Sequence, residues 1–217
     1  MLRVGLTGGM GSGKSTAANL FSAHGAQVLQ SDAIGRELME PGQAVHAKIA
    51  GHFGKQVVLP DGRLDRAALA RLAFVEGRAD ELNAIVHPAV IAKQRDLVED
   101  IARRNPGAVV IVESALIFEA IHGDASEWQQ RFDRIILVTA PEEMKIARFV
   151  QRCAVEAELT PSQKLEFEAE ARRRLARQVP DDQKIALANY VLTNDGAVTE
   201  LEWQVDQLWP ILRLAAR

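Results

Sequence analysis

Gly8-Gly9-Met10-Gly11-Ser12-Gly13-Lys14-Ser15-Thr16 is the stretch on which the fold turns. It satisfies G-x-x-x-x-G-K-[ST] through Gly8, Gly13, Lys14 and Ser15. A short apolar strand, Leu2 to Leu6, precedes it. An amphipathic helix carrying Ala17, Ala18, Leu20 and Phe21 follows and ends near Gly25. Glycines let the backbone turn through positive φ and approach phosphate oxygens without a Cβ in the way. The N–H groups of the loop and of the first helical turn then face an anion, aided by the helix dipole. Lys14 is placed to put a point charge on the β- and γ-phosphates, and Ser15 to offer its hydroxyl to Mg2+. A glycine-rich turn without a ligand is the alternative, and the strand before and helix after argue against it.

Four apolar or β-branched runs recur: Leu2–Thr7, Ala26–Leu29, Ala108–Val112 and Arg134–Thr139, with Tyr190–Thr193 as a fifth. Continuous apolar strands alternating with amphipathic stretches predict an α/β fold, a parallel sheet with helices on both faces. Ligands of such sheets sit beyond the carboxyl ends of the strands. Those ends deliver Gly8–Thr16, Gln30-Ser31-Asp32, Glu113-Ser114, Ala140-Pro141 and Asn194-Asp195-Gly196. The segment of about 34–106 is too long for a simple crossover and reads as a helical substrate-side subdomain. Within it Ala67–Val75 and Ala89–Arg103 have helical spacing, and Pro60-Asp61-Gly62 marks a turn. A second insertion, about 148–179, is charged and helical, with Pro161 starting a helix after Thr160. It is either a solvated surface hairpin or a lid.

A chain of 217 residues suits one α/β core with inserted subdomains. Its net charge of −3 gives no general reason to expect nucleic acid or a membrane as partner. A single cysteine, Cys153, excludes an internal disulfide and suits a reducing compartment. The N-terminal apolar stretch is one strand long, so no signal peptide is read there, and no run reaches the length of a membrane span. A soluble cytoplasmic protein is expected.

Among single residues, Asp32 either accepts a proton from an attacking hydroxyl or caps a helix. Asp32-Ala33-Ile34-Gly35 fits D-x-x-G, but no N-K-x-D accompanies it to read guanine. Glu113 is either the acid that helps hold Mg2+ or a strand-end surface charge. His87 lies before Pro88, which is placed as a first helical residue. Arg148 and Arg152 are one helical turn apart, and their guanidiniums either clamp phosphate or face solvent. Cys153 reads as packing or surface.

Together these pieces resemble the dephospho-coenzyme A kinase family over most of the chain. Gly5 to Thr16 is similar to that family's opening, and Ser31-Asp32-Ala33-Ile34-Gly35-Arg36 to its second-strand motif. Leu82 to Pro88, Leu116-Ile117-Phe118-Glu119, Arg174 to Pro180 and Ala188 to Gly196 resemble further family segments. Gln30 stands where the family often has Asp, Ala115 where Pro is usual, and Cys153–Arg172 is longer than the typical lid. The resemblance implies a single P-loop kinase domain over 1–217, with a five-stranded parallel sheet, an acceptor subdomain at 34–106 and a lid at 148–179. It implies ATP and dephospho-coenzyme A as small-molecule substrates, Mg2+ as cofactor and transfer of a phosphoryl group to the ribose 3′-hydroxyl. Lys14, Asp32 and Arg148 take the catalytic roles. Gly11, Ser12, Gly13, Lys14, Ser15, Thr16 and Asn194 bind ATP, and Ser15 helps hold the metal. Thr7, Asp32, Arg36, His87 and Glu119 bind the acceptor. A monomer is expected, with weak self-association the alternative. Rival readings are a P-loop kinase of another small nucleotide-like acceptor and a non-catalytic nucleotide-dependent switch.

Overall fold

Leu2, Val4 and Leu6 recur at every second position of the first strand and are all buried. Their alternates Gly5 and Thr7 are buried too, which is what a strand covered on both faces requires. The computed structural model describes residues 1–118, 127–154 and 159–217. Its strands are β1 (Leu2–Thr7), β2 (Gln27–Gln30), β3 (Val109–Glu113), β4 (Arg134–Thr139) and β5 (Tyr190–Thr193), in the order β2-β3-β1-β4-β5. β1 pairs in parallel with β3 and with β4, and β4 in parallel with β5. This is the five-stranded parallel sheet expected. Its carboxyl ends carry the loops that hold the site.

The chain divides into two compact units, residues 1–29 with 104–217, and residues 30–103. In the first, α1 (Lys14–Ala23) and the helix Val198–Ala215 cover the sheet. Phe21, Leu201, Val205 and Leu212 pack on Val4, Leu6, Ile111 and Ile136, all essentially without solvent exposure. Each such side chain stabilises the fold by roughly 1.5–3 kcal/mol. After β4 come helices at Glu142–Cys153, Pro161–Ala176 and Asp181–Leu187, here called the insertion helices. The second begins as its sequence predicts. Thr160 Oγ1 accepts from the Gln163 amide, Gln163 Oε1 accepts from the Thr160 amide, and Pro161 fills the first helical position. Ile146, Phe149 and Val150 pack with Ala171, Phe167 and Leu175 and with Met10 of the glycine-rich loop.

The second unit has its own core, built on Val45, Ile49, Phe53, Val57, Leu64, Leu69 and Leu72. Its helices span Ser31–Leu38, Ala44–Phe53, Arg66–Phe74 and Ala79–Arg104. Asp65 caps the third, accepting from the Ala67 and Ala68 amides at 2.9 and 3.0 Å, a contact worth about 1 kcal/mol. The turn at Pro60-Asp61-Gly62 closes through an antiparallel bridge between Val58 and Leu64. The last helix departs from the expected start: it begins at Ala79 and carries Pro88 in its interior. Proline there removes one backbone hydrogen bond. Leu82, Ile85, Val86 and Ala89, packed on the unit's core, carry the helix through that gap. Among the described residues no helix is long and apolar enough to cross a membrane.

Candidate nucleotide-binding site

β1 ends at Thr7, which is fully buried, and the chain turns into the glycine-rich loop. Gly13 sits at φ 97° at the N-terminus of α1, in the left-handed region that favours glycine. A Cβ on Gly13 would lie 2.0 Å from Asn194 Nδ2, so that position has neither the conformation nor the space for a side chain. The Lys14 ammonium curls over the loop and donates to the carbonyls of Gly8 and Gly9 at 2.9 and 3.0 Å. The loop runs into the first amides of α1, the positive end of a helix dipole, where an anion is best stabilised. Ser15 is exposed, and its Oγ donates to Glu113 Oε1 at 2.8 Å across the ends of β1 and β3. Thr16 follows on the first turn of α1, half-buried.

Asn194 and Arg148 reach the loop from distant parts of the chain. Asn194, at the end of β5, is buried, and its Nδ2 donates to the Ser12 carbonyl at 2.8 Å. Arg148, on the first insertion helix, donates from Nη1 to the Gly11 carbonyl at 3.3 Å. Its Nη2 donates to the backbone carbonyl and to Oδ1 of Asn194 at 2.9 and 3.3 Å. Gly11, Ser12, Gly13, Lys14, Ser15, Arg148 and Asn194 thus form one assembly. Two fixed cations, the exposed hydroxyl and a helix N-terminus converge on it. Arg152, one turn beyond Arg148, is exposed.

A buried ion pair lies beside this assembly and is not predicted by any motif. Lys145 pairs with Asp181, whose Oδ2 also accepts from Thr139 Oγ1 at 2.5 Å. Burial disfavours the Asp181 carboxylate, but the hydrogen bonds from Lys145 and Thr139 and the charges of Lys145 and Lys184 outweigh it. The carboxyl is therefore held below the usual carboxylate range. The only sequence signal is a lysine beside the apolar positions Ile146, Phe149 and Val150, since its partner is 36 residues away.

Asp32, Arg36 and His87 lie in the second unit. Asp32 is the second residue of the helix Ser31–Leu38 and is exposed. It does not cap that helix, since the N-cap position is Gln30. Arg36 is one turn later and exposed, so both stand on one face. Gln94 Nε2 donates to Ser31 Oγ at 2.7 Å and fastens the residue before Asp32 to the long helix. His87 is half-buried within that helix, one residue before Pro88. Glu119 lies outside the described residues.

Comparison with known proteins gives the family. The family model for dephospho-CoA kinase matches residues 2–200. A dephospho-CoA kinase of Thermobifida fusca is 36% identical over 214 residues, which is 98% of this chain and 97% of that one. The dephospho-CoA kinase of Methylococcus capsulatus is 38% identical over 210 residues, 96% of this chain and 95% of that one. The crystal structure of TT1252 from Thermus thermophilus superposes with a TM-score of 0.72 at 32% identity, covering 97% of each chain. Matched by that family model over residues 2–200 and 36% identical to a dephospho-CoA kinase across 98% of its length, the chain belongs to the dephospho-CoA kinase family.

Proposed function

We propose that this protein transfers the γ-phosphoryl group of ATP to the ribose 3′-hydroxyl of dephospho-coenzyme A, releasing coenzyme A and ADP. The observation that carries the reading is the assembled phosphate site, with Lys14, Arg148 and the α1 N-terminus converging, in a chain matched by the family model over residues 2–200. Phosphoryl transfer needs little covalent help from protein, so positioning and charge stabilisation account for the rate.

Lys14 leaves the Gly8 and Gly9 carbonyls for the β- and γ-phosphate oxygens when the nucleotide binds. The amides of Gly11 to Thr16 hold the same phosphates. Arg148 keeps a fixed charge beside them because Asn194 and Gly11 hold its guanidinium. Ser15 and Glu113 supply a hydroxyl and a carboxylate oxygen, the hard donors that Mg2+ takes, and these two residues would hold it. The ion's chemistry there is neutralisation of charge on the phosphate oxygens. Asp32 accepts the proton of the ribose hydroxyl as that oxygen attacks phosphorus. Arg36, His87 and Glu119 bind the acceptor, whereas Thr7, fully buried at the end of β1, offers it no surface. The helices of 148–179 serve as a lid, whose closure excludes water as a competing acceptor.

Turnover on an acceptor panel tests the reading. ADP release from Mg-ATP is measured with dephospho-coenzyme A, AMP, shikimate or no acceptor. Release that depends on dephospho-coenzyme A and on none of the others is expected. Equal release with and without every acceptor would instead favour a nucleotide-dependent switch.

A further inference from the structure

The insertion helices come up against the outer lip of the phosphate loop, Gly9–Gly11, at three places, two of them at Lys145. Its carbonyl oxygen lies 2.4 Å from where a Cβ on Gly11 would stand, so the first turn of the helix Glu142–Cys153 rests directly on that glycine. Its Nζ lies 3.3 Å from the corresponding point on Gly9. The third contact comes from Gln178, in the link between the second and third insertion helices, whose Oε1 accepts from the Met10 amide at 3.1 Å. Asp181, at the start of the third insertion helix, is what holds the Lys145 ammonium there. Side-chain exposure is 7% for Lys145 and 25% for Asp181, so the pair is shielded from solvent at the lysine end. Thr139, the last residue of β4, donates to the same carboxylate oxygen, and Lys184 adds a further positive charge toward it. Asp181 therefore ties together the sheet, both ends of the insertion and, through Lys145, the lip of the loop.

An ion pair this buried is costly to build, since desolvation offsets most of the attraction. A well-packed apolar pair would serve folding as well. What the charged pair adds is geometric: a fixed ammonium against a segment of glycines that has few side chains of its own to hold it. We propose that Lys145 and Asp181 form a latch that fixes Gly9–Gly11 in its phosphate-accepting shape, making Lys145 a positioning residue for nucleotide binding. The proposal rests on the reading of the loop as an ATP site. The acceptor does not enter it.

Nucleotide affinity, measured by calorimetry with Mg-ADP in the absence of acceptor, separates the latch from the reaction. Lys145→Met is expected to weaken Mg-ADP binding by about ten-fold while leaving the KM for dephospho-coenzyme A within about two-fold. Lys145→Arg, which keeps the charge, should recover most of the loss. Asp181→Asn should reproduce the Lys145→Met defect, because a latch needs both halves. Should Asp181→Asn leave too little folded protein by circular dichroism, Thr139→Val carries the same test. It removes one hydrogen bond from Asp181 and keeps both charges, and about three-fold weaker binding is expected. Unchanged Mg-ADP affinity in folded Lys145→Met overturns the proposal. So does weakened binding in Lys145→Met with normal binding in the Asp181 or Thr139 variant, which would make Lys145 a direct phosphate ligand. Wild-type protein that binds Mg-ADP but turns over no acceptor would count against the proposed reaction and leave the latch standing.

Discussion

Asn194 Nδ2 donates to the Ser12 carbonyl at 2.8 Å, joining the end of the last strand to the phosphate loop 182 residues earlier in the chain. The same residue's Oδ1 and backbone carbonyl accept from Arg148. One buried carboxamide therefore sets both the loop and the arginine beside it. Asn194→Ala leaves the Ser12 carbonyl buried without this donor, a loss of about 1–3 kcal/mol. For a chain of this size that lowers Tm by roughly 2–4 °C per kcal/mol, and thermal melting reads it. Mg-ATP affinity should fall with it, and an Asn194→Ala protein with wild-type melting and binding would remove Asn194 from the site.

Lys14 and Asp32 should separate binding from chemistry. Lys14→Ala takes a charge from the phosphates and is expected to reduce both nucleotide affinity and turnover. Asp32→Asn is expected to lower kcat by about 10²–10⁴ while Mg-ATP affinity stays within two-fold, because it removes a proton acceptor and nothing that touches the nucleotide. Steady-state kinetics beside equilibrium binding checks both. A near-normal kcat in Asp32→Asn would take that residue out of the mechanism.

The hydrogen bond between Ser15 and Glu113 predicts a change in metal dependence. Glu113→Gln keeps an acceptor for the Ser15 hydroxyl but removes the charge. The Mg2+ concentration for half-maximal activity should rise by about 10- to 100-fold, the factor that corresponds to the roughly 1.5–3 kcal/mol that charged hydrogen-bonding groups contribute. Titrating Mg2+ at saturating ATP measures it. An unshifted midpoint would return Glu113 to the role of a strand-end charge.

How much of this was legible in the sequence depended on range. The phosphate loop, the helix start at Thr160-Pro161 and the turn at Pro60-Asp61-Gly62 are encoded within a few residues, and their physical causes are local. The helix start at Ala79 was hidden because Pro88 is a strong local stop signal. Burial of Leu82, Ile85 and Val86 overrides it, and that is a tertiary effect. Asp32 was ambiguous for the opposite reason: its type suits a helix N-cap, but the helix starts one residue earlier, at Ser31. The Lys145–Asp181 pair has no short-range signature at all. A buried lysine is recognised only once its partner, 36 residues on, is folded against it.

A pH effect is expected in the second unit. Arg78 donates to both oxygens of Glu81 at 2.8 and 2.7 Å, and His52 Nε2 lies 2.6 Å from Oε2. The hydrogen bonds from Arg78 and then from His52 pull the Glu81 carboxyl from its ordinary 4.5 down to about 2, against a smaller opposing effect of burial. A carboxyl depressed on folding stabilises the native state above its unfolded value, and that stabilisation fades as pH falls. The stability gap between wild type and Glu81→Gln should accordingly narrow between pH 4.5 and about 2. Urea unfolding across that range checks the sign, and a gap that widens toward acid would contradict it.

The most direct test of the proposed reaction is the product itself. Purified protein is incubated with Mg-ATP and dephospho-coenzyme A, and the acceptor is recovered for mass spectrometry and phosphorus–proton correlation NMR. The account predicts a product heavier by one phosphoryl group, with the new phosphorus coupled to the ribose 3′ proton and one ADP formed per product. ADP without a phosphorylated acceptor, or a phosphoryl group on another oxygen, would contradict it.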